Sequence, residues 1–151
     1  MVDIVHRIGI KSSISQVYAA IATTTGLANW WTNEVEGKSE VGEEITFRFS
    51  TKSGELLGEM AMQVNELNST NVKWHCAAGP LEWIGTAITF ELSEQDDQVI
   101  LIFGHRNWRE QVEFTSHCSM KWATFLLSLK DYVETSIGKP SPDDLKIDNW
   151  N

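Results

Sequence analysis

Hydrophobic and polar residues alternate near the start of the chain and again through its middle, a period-two pattern typical of half-buried β-strands. The pattern predicts an opening strand over Val2–Lys11. Further strands are predicted at Glu44–Phe49, Glu59–Val64, Val72–Cys76, Glu82–Leu92 and Gln98–Phe103. Turn-forming residues separate these strands at short intervals, so we expect a run of about six strands connected as an antiparallel meander.

Hydrophobic residues at helical spacing predict three helices. The first covers residues 14–21 and begins after a pair of serines that can cap it. We expect Gly26 to break this helix and a second, short helix to span Leu27–Trp31. The third helix is long and amphipathic, running from about Ser116 to Ile137, and Gly138 is its expected C-terminal cap.

The order of elements is a strand, two short helices, about six antiparallel strands and one long helix. A sheet with one apolar face and a long amphipathic helix must pack together, since neither can bury its apolar surface alone. The sequence therefore predicts an α+β fold with a single domain over residues 1–140. Residues 141–151 form a polar C-terminal tail that is either disordered or covers a dimer interface.

Charge and hydropathy exclude some classes of partner. The chain has 12 Lys and Arg against 21 Asp and Glu, a formal net charge of −9, and this negative field disfavours nucleic acid and anionic membrane surfaces. No apolar stretch approaches the roughly 18 residues of a membrane span, so membrane insertion is not expected. The opening residues do not resemble a secretory signal, and we expect a cytoplasmic protein in which Cys76 and Cys118 are free thiols.

Seven tryptophans in 151 residues either fill an ordinary core or wall a cavity between the sheet and the long helix. If there is a cavity, its expected lining combines inward-facing strand residues with one face of the helix and the Trp pair at the mouth. The predicted lining residues are Trp30, Trp31, Phe47, Phe49, Met60, Met62, Trp74, Cys76, Phe103, Trp122, Phe125 and Leu129. Two methionines on one strand would give this wall an adaptable shape.

Two polar residues are candidates for contacts with a ligand. Thr86 and His105 share the parity of inward-facing apolar residues on their strands, and His105 could act as an acid or base near neutral pH. The alternative places His105 half-exposed at a strand end beside Arg106. The segment Gly104–Glu110 is predicted to be a polar loop. It is either a gate or partner surface with Trp108 as an anchor, or a solvated connection in which Trp108 covers the end of the sheet.

The dipeptides His75-Cys76 and His117-Cys118 do not predict a metal site. Adjacent strand residues point to opposite faces, and neither pair has the spacing of a zinc motif, so we expect no metal and no cofactor. Cys118, in the first turn of the predicted long helix, is either a thiol nucleophile activated by the helix dipole and His117 or an inert buried thiol.

Two parts of the chain carry a family resemblance: the opening strand with Ser12–Ile21 and Leu27–Trp31, and Trp122–Thr135 followed by Gly138-Lys139-Pro140. Through these residues the chain resembles the START-like (SRPBCC) helix-grip superfamily, and more narrowly its activator-of-heat-shock-protein-90-ATPase-like branch. It implies that a curved antiparallel sheet wraps around the C-terminal helix and leaves room for a ligand. It carries no catalytic motif, so it implies a fold rather than a chemistry.

The resemblance and the aromatic excess together favour a non-catalytic protein that binds a small hydrophobic or aromatic molecule. One alternative is a co-chaperone-like interaction domain with a chaperone ATPase as its partner. Another is a cyclase- or hydrolase-like enzyme that uses the same cavity. The resemblance also implies a homodimer, because single-domain members of the superfamily often pair.

Overall fold

The computed structural model describes residues 1–151 as seven strands and three helices. The elements in chain order are β1 (Val2–Ile10), α1 (Ile14–Ala22), α2 (Thr24–Ala28), β2 (Glu34–Gly37), β3 (Glu44–Ser50), β4 (Leu56–Leu67), β5 (Asn71–Ala78), β6 (Ala87–Gln95), β7 (Gln98–Trp108) and α3 (Glu113–Thr135). The predicted α+β helix-grip fold is confirmed. None of the helices is long and apolar enough to cross a membrane.

All seven strands belong to one antiparallel sheet with the spatial order β1-β7-β6-β5-β4-β3-β2. Strands β2 to β7 follow one another as a meander. The last strand, β7, also pairs with the first strand, β1, and so brings the two ends of the sheet-forming chain together. Helix α3 packs along β1, where Lys130 donates to the Gly9 carbonyl and His6 Nε2 donates to the Ser119 carbonyl over 3.1 Å. The chain therefore closes on itself, with the long helix held inside the curve of the sheet.

The core lies between the concave face of the sheet and α3 and is dominated by aromatic rings. Trp31 is at its centre, with its ring centroid 4.4 Å from Phe47, 5.0 Å from Trp122 and 6.0 Å from Trp74. Six of the seven tryptophans are buried, and only Trp150 is exposed. Large rings packed in tilted and stacked pairs fix the spacing between sheet and helix, because they have few rotamers.

The strand predictions differ from the structure in three places. Strand β2 was not located because its side chains are exposed or half-buried and show no alternation. Residues 82–86 form a turn rather than the start of β6, closed by a hydrogen bond from Thr86 N to the Trp83 carbonyl. Strand β7 continues to Trp108, so most of the predicted polar loop Gly104–Glu110 belongs to the sheet, where pairing with β1 satisfies its backbone.

The helix boundaries also differ. Helix α2 begins earlier than predicted because the Thr23 side chain accepts a hydrogen bond from Gly26 N and caps it, so Gly26 lies inside α2. Helix α3 begins at Glu113 and ends at Thr135. Its C-terminal cap is Ser136, in the left-handed region with φ 72°, and not Gly138. The Ser136 N–H donates to the Tyr132 carbonyl over 2.8 Å, which satisfies one of the free carbonyls of the last turn.

Candidate functional site

A cavity of about 190 Å³ lies at one end of the molecule, between α3, the open ends of β3 and β4, the turn after β5 and the C-terminal tail, residues 141–151. Most of its lining is apolar or aromatic. The lining residues are Trp31, Phe49, Leu57, Gly58, Met60, Pro80, Trp83, Phe114, His117, Cys118, Lys121, Trp122, Phe125, Asp144, Trp150 and Asn151.

The inner wall of the cavity is a set of packed aromatic rings. Trp83 and Trp122 are stacked, with centroids 6.1 Å apart and planes inclined by 19°. Trp31 is 5.0 Å from Trp122, and Phe49 is 6.2 Å from Phe125. These rings are also part of the core, so they are held rigidly. A rigid aromatic wall suits a flat apolar group that can stack on it.

Helix α3 supplies the polar groups of the cavity through His117 and Lys121, which are four residues apart and therefore on one face. Lys121 Nζ donates to an Asp144 carboxylate oxygen at 2.5 Å and to the Leu145 carbonyl at 2.9 Å, and it lies 4.9 Å from the centre of the Phe125 ring. His117 Nδ1 is 2.7 Å from an Asp148 carboxylate oxygen.

The carboxylates that face these two groups both belong to the tail. Burial alone would raise the pKa of Asp144, but hydrogen bonds from Lys121 and Lys146 outweigh this effect and hold the pKa below its usual value. The hydrogen bond from His117 likewise lowers the pKa of Asp148. Both aspartates are therefore ionised at neutral pH and hold the tail electrostatically against α3.

The tail is fixed to the body of the protein at its two ends. At its start, Ser141 N donates to the Trp31 carbonyl over 2.8 Å, and Asn33 N donates to the Ser141 carbonyl over 3.2 Å. Near its end, the Trp150 ring lies 6.3 Å from Phe114 and 5.4 Å from the His117 ring. The tail thus crosses the mouth of the cavity and forms its outer wall.

Behind the cavity, His105 is the centre of a buried hydrogen-bond chain. The Thr86 hydroxyl donates to the Trp83 carbonyl over 2.6 Å, so its oxygen is an acceptor for His105 Nε2 at 2.9 Å. The Trp122 indole donates to His105 Nδ1 over 3.1 Å. These partners require a neutral imidazole with its proton on Nε2. Burial lowers the pKa of His105 to about 3, which agrees with that assignment.

The alternative interpretation of His105 as a half-exposed residue at a strand end is wrong. The residue is 0% exposed because β7 extends beyond it to Trp108, which is also buried. Neither His105 nor Thr86 lines the cavity. Their chain of hydrogen bonds instead fixes the backbone at Trp83 and the indole of Trp122, two of the aromatic groups that do line it.

The two cysteines are free and buried. Burial raises the pKa of Cys118 to about 12, an effect that exceeds the opposing one of the neighbouring Trp83 indole. Burial also raises the pKa of Cys76 to about 11. Because α3 begins at Glu113, Cys118 lies in its second turn, and His117 pairs with the tail rather than with this thiol. Neither thiol is activated as a nucleophile.

The structure brings five of the predicted site residues together around the cavity: Trp31, Phe49, Met60, Trp122 and Phe125. The other nine do not line it and lie buried in the core: Trp30, Phe47, Met62, Trp74, Cys76, Thr86, Phe103, His105 and Leu129. The Trp30 indole, for example, donates to the Ala20 carbonyl and faces α1. The core residues are inward-facing like the lining residues, and periodicity does not separate the two groups.

Sequence reasoning missed several lining residues that a helical register could have found. Phe114, His117, Cys118, Lys121, Trp122 and Phe125 are spaced by three or four residues along one face of α3. Placing the helix start at Ser116 excluded Phe114, whereas His117, Cys118 and Lys121 lie inside the predicted helix beside the two lining residues that were predicted, Trp122 and Phe125. Trp83 was missed because it lies in a turn, and Asp144 and Trp150 because nothing in the tail sequence indicates where it folds.

Comparison with known proteins identifies the family of the chain. The model of the family described as activator of Hsp90 ATPase homolog 1-like protein matches residues 11–134. The chain belongs to this family. The Aha1 dimer from Colwellia psychrerythraea, solved in solution, is 41% identical, with a TM-score of 0.78 over 91% of this chain and 100% of that one. No protein of curated function matches the sequence.

More distant structures share the fold of the activator of Hsp90 ATPase homolog 1-like family. Protein SSP2350 from Staphylococcus saprophyticus is 16% identical, with a TM-score of 0.72 over 91% of this chain and 95% of that one. CalU16 from Micromonospora echinospora is also 16% identical, with a TM-score of 0.70 over 93% of this chain and 77% of that one. At these identities the two structures show that the fold is shared and nothing about function.

Proposed function

We propose that this protein binds a small hydrophobic or aromatic molecule, without chemical conversion, in the cavity between α3, the sheet and the tail. The observation that supports this most directly is the aromatic inner wall of the cavity, made by Trp31, Trp83 and Trp122. Such a wall stabilises flat apolar ligands by burying their surface and by stacking. The free thiols support a reducing compartment, and we place the protein in the cytoplasm.

The size of the cavity limits the ligand that fits without movement of the tail. A dry apolar cavity of about 150 Å³ accepts benzene, so a cavity of about 190 Å³ suits a single aromatic ring with a short substituent. The side chains that were candidates for acid–base or nucleophilic catalysis support binding without catalysis. His105 and Thr86 are engaged in the buried hydrogen-bond chain, and burial holds Cys118 in its neutral form.

Binding can be tested with fluorobenzene, using its ¹⁹F resonance to measure the dissociation constant. We expect saturable binding with a dissociation constant of roughly 1 mM or tighter, which corresponds to about 4 kcal/mol. Cys118→Met would place a longer side chain in the cavity and weaken binding at least tenfold. Ser116→Met adds the same side chain at an exposed position of the same helix and should leave binding unchanged.

Two results would contradict the proposal. One is the absence of saturable binding by fluorobenzene and by substituted single-ring probes. The other is binding that Cys118→Met and Ser116→Met weaken equally, since this would place the probe elsewhere. Unfolding curves for both variants would show that each is folded under the conditions of the titration.

A second candidate function is that of a co-chaperone-like domain that acts on an Hsp90-class ATPase, with the protein as a homodimer. It is supported by the 41% identity to the Colwellia psychrerythraea protein, which was solved as a dimer. Steady-state ATP hydrolysis by a purified Hsp90-class ATPase, measured with and without saturating protein, tests the activity. Sedimentation equilibrium tests the dimer. An unchanged hydrolysis rate and a monomeric mass would contradict this candidate.

A further inference from the structure

The polar partners of Lys121 inside the cavity come entirely from the tail. Its ammonium group donates to the Asp144 carboxylate and to the Leu145 carbonyl, and no hydrogen-bond acceptor of the sheet or of α3 shares it. One turn earlier, His117 is paired with Asp148, also in the tail. The body of the protein therefore presents a cation and a donor to the cavity, and only the tail satisfies them.

An ammonium group in this position requires an anion. The Lys121 side chain is 12% exposed and that of Asp144 is 2% exposed, so both charges are largely removed from water. A buried charge without a partner costs several kcal/mol, whereas a paired one is tolerated. A molecule that takes the place of Asp144 on Lys121 while the site stays closed to water must therefore supply a negative charge. A neutral ligand has no means of doing so.

The surroundings of Lys121 define the rest of such a molecule. Its Nζ atom lies over the Phe125 ring at 4.9 Å, and Phe125 and the adjacent Trp122 belong to the aromatic wall. A carboxylate bound at Nζ would thus be next to a surface on which an aromatic ring can stack.

We propose that the ligand of the cavity is an aromatic carboxylate, whose carboxyl group replaces that of Asp144 on Lys121 while its ring stacks on the wall formed by Trp122 and Phe125. This inference rests on the proposed function, because it names the class of ligand for the same cavity. Asp144 then acts as an internal substitute for the ligand carboxylate. The ligand and the tail compete for Lys121, so binding of the acid displaces the tail.

The test compares an acid with its neutral amide of nearly the same shape. The probes are 4-fluorophenylacetate and 4-fluorophenylacetamide, and their dissociation constants are measured by ¹⁹F NMR at neutral pH. A charge-assisted hydrogen bond is stronger than a neutral one, so we expect the full-length protein to bind the acid about tenfold more tightly. Lys121→Met keeps most of the aliphatic stem, and in this variant the acid and the amide should bind equally.

Two further variants separate ligand recognition from simple support of the tail. Asp144→Asn removes the competing carboxylate and should tighten binding of the acid severalfold while changing binding of the amide little. If the Lys121–Asp144 pair only holds the tail in place, this substitution would instead affect both probes equally. Lys73→Met, on the outer face of β5, removes an exposed lysine and is the control for the change in net charge.

The results distinguish this inference from the proposed function. Equal binding of acid and amide by the full-length protein overturns the inference but leaves the cavity as a site for neutral aromatic molecules. Failure of both probes and of fluorobenzene overturns the proposed function as well. A preference for the acid that survives in Lys121→Met also overturns the inference, since a different cation would then be responsible.

Discussion

Acid should destabilise this protein well above the range in which carboxylates titrate, because of the neutral His105. In the unfolded chain this imidazole takes up a proton near its ordinary pKa of 6.5, but in the folded protein it does so only near pH 3. Between these values the unfolded state binds one more proton than the folded state. The free energy of unfolding therefore falls as the pH is lowered from 6.5 towards 3.

The magnitude follows from the size of the pKa difference. Each unit corresponds to about 1.4 kcal/mol, but at pH 6.5 only half of the unfolded imidazoles carry the proton. Lowering the pH from 6.5 to 4.5 should therefore reduce the free energy of unfolding by roughly 2 kcal/mol through His105 alone. The buried hydrogen bonds explain why the folded protein disfavours protonation of His105. Its Nδ1 already accepts a hydrogen bond from the Trp122 indole, so a proton on Nδ1 would point at another donor. The effect is large against the 5–15 kcal/mol that is typical of a whole domain.

The assay is urea unfolding at a series of pH values for the natural protein and for His105→Gln. Glutamine keeps a donor and an acceptor in the buried chain but does not titrate. The difference in unfolding free energy between the two proteins cancels the contributions of the other three histidines and of the carboxylates. We expect this difference to decrease by about 1.4 kcal/mol for each pH unit between about 5.5 and 4, and less steeply near pH 6.5.

Parallel pH profiles for the two proteins would refute the reasoning. They would show that His105 titrates alike in the folded and unfolded states, which is incompatible with an imidazole that accepts from Trp122 and donates to Thr86. A difference that increases as the pH falls would show the opposite sign, a folded state that favours the imidazolium. The m-value should be the same throughout, because a changed slope would mean that the denatured state had changed.

Three further predictions concern stability and reactivity. Gly26→Ala should lower the free energy of unfolding in urea by about 3 kcal/mol, because the new Cβ would lie 2.6 Å from the Ala19 carbonyl oxygen. Gly58→Ala is the control, since there is open space around Gly58, and should lower it by less than about 1 kcal/mol. Trp122→Phe should lower the free energy of unfolding by at least about 2 kcal/mol, since it creates a void and leaves His105 Nδ1 without its donor. An unchanged midpoint of urea unfolding would contradict this. At pH 8 a thiol reagent should label Cys118 only as fast as transient unfolding exposes it, because a pKa of about 12 leaves roughly one thiolate in ten thousand. Rapid labelling of the native state would contradict the burial of this thiol.

The elements that the sequence predicted best are those whose burial follows a local period. In β3, Ile45 and Phe47 are buried while Thr46 and Arg48 between them are partly exposed, so the alternation could be recognised from the sequence alone. Helix α3 is similar, since its apolar stripe repeats at helical spacing for more than 20 residues. The order of such elements was also enough to predict that the sheet and the helix pack together, because neither can bury its apolar face alone. The helix-grip fold was implied by the resemblance to the START-like superfamily.

Positions without a local period depended on distant partners. His105 is buried because the end of β7 pairs with β1, about 100 residues away in sequence, and because the rings of Trp83 and Trp122 pack against its imidazole. Nothing in the polar segment Gly104–Glu110 shows that such a partner exists. The division of the inward-facing residues between cavity and core has the same origin. It depends on where the sheet and α3 separate, and alternation reports only which face a residue occupies.

The sequence by itself determined the strands, the long helix, their order and the aromatic character of the space between them, because these depend on residue type and short-range periodicity. The tertiary structure alone decided which side chains border the cavity and what closes it. The tail is held in place by two contacts. Ser141 N donates to the Trp31 carbonyl, 110 residues away in sequence, and Asp144 accepts from Lys121, 23 residues away. Only the folded chain brings these groups within reach of one another, and only there does a polar tail become the outer wall of an aromatic cavity.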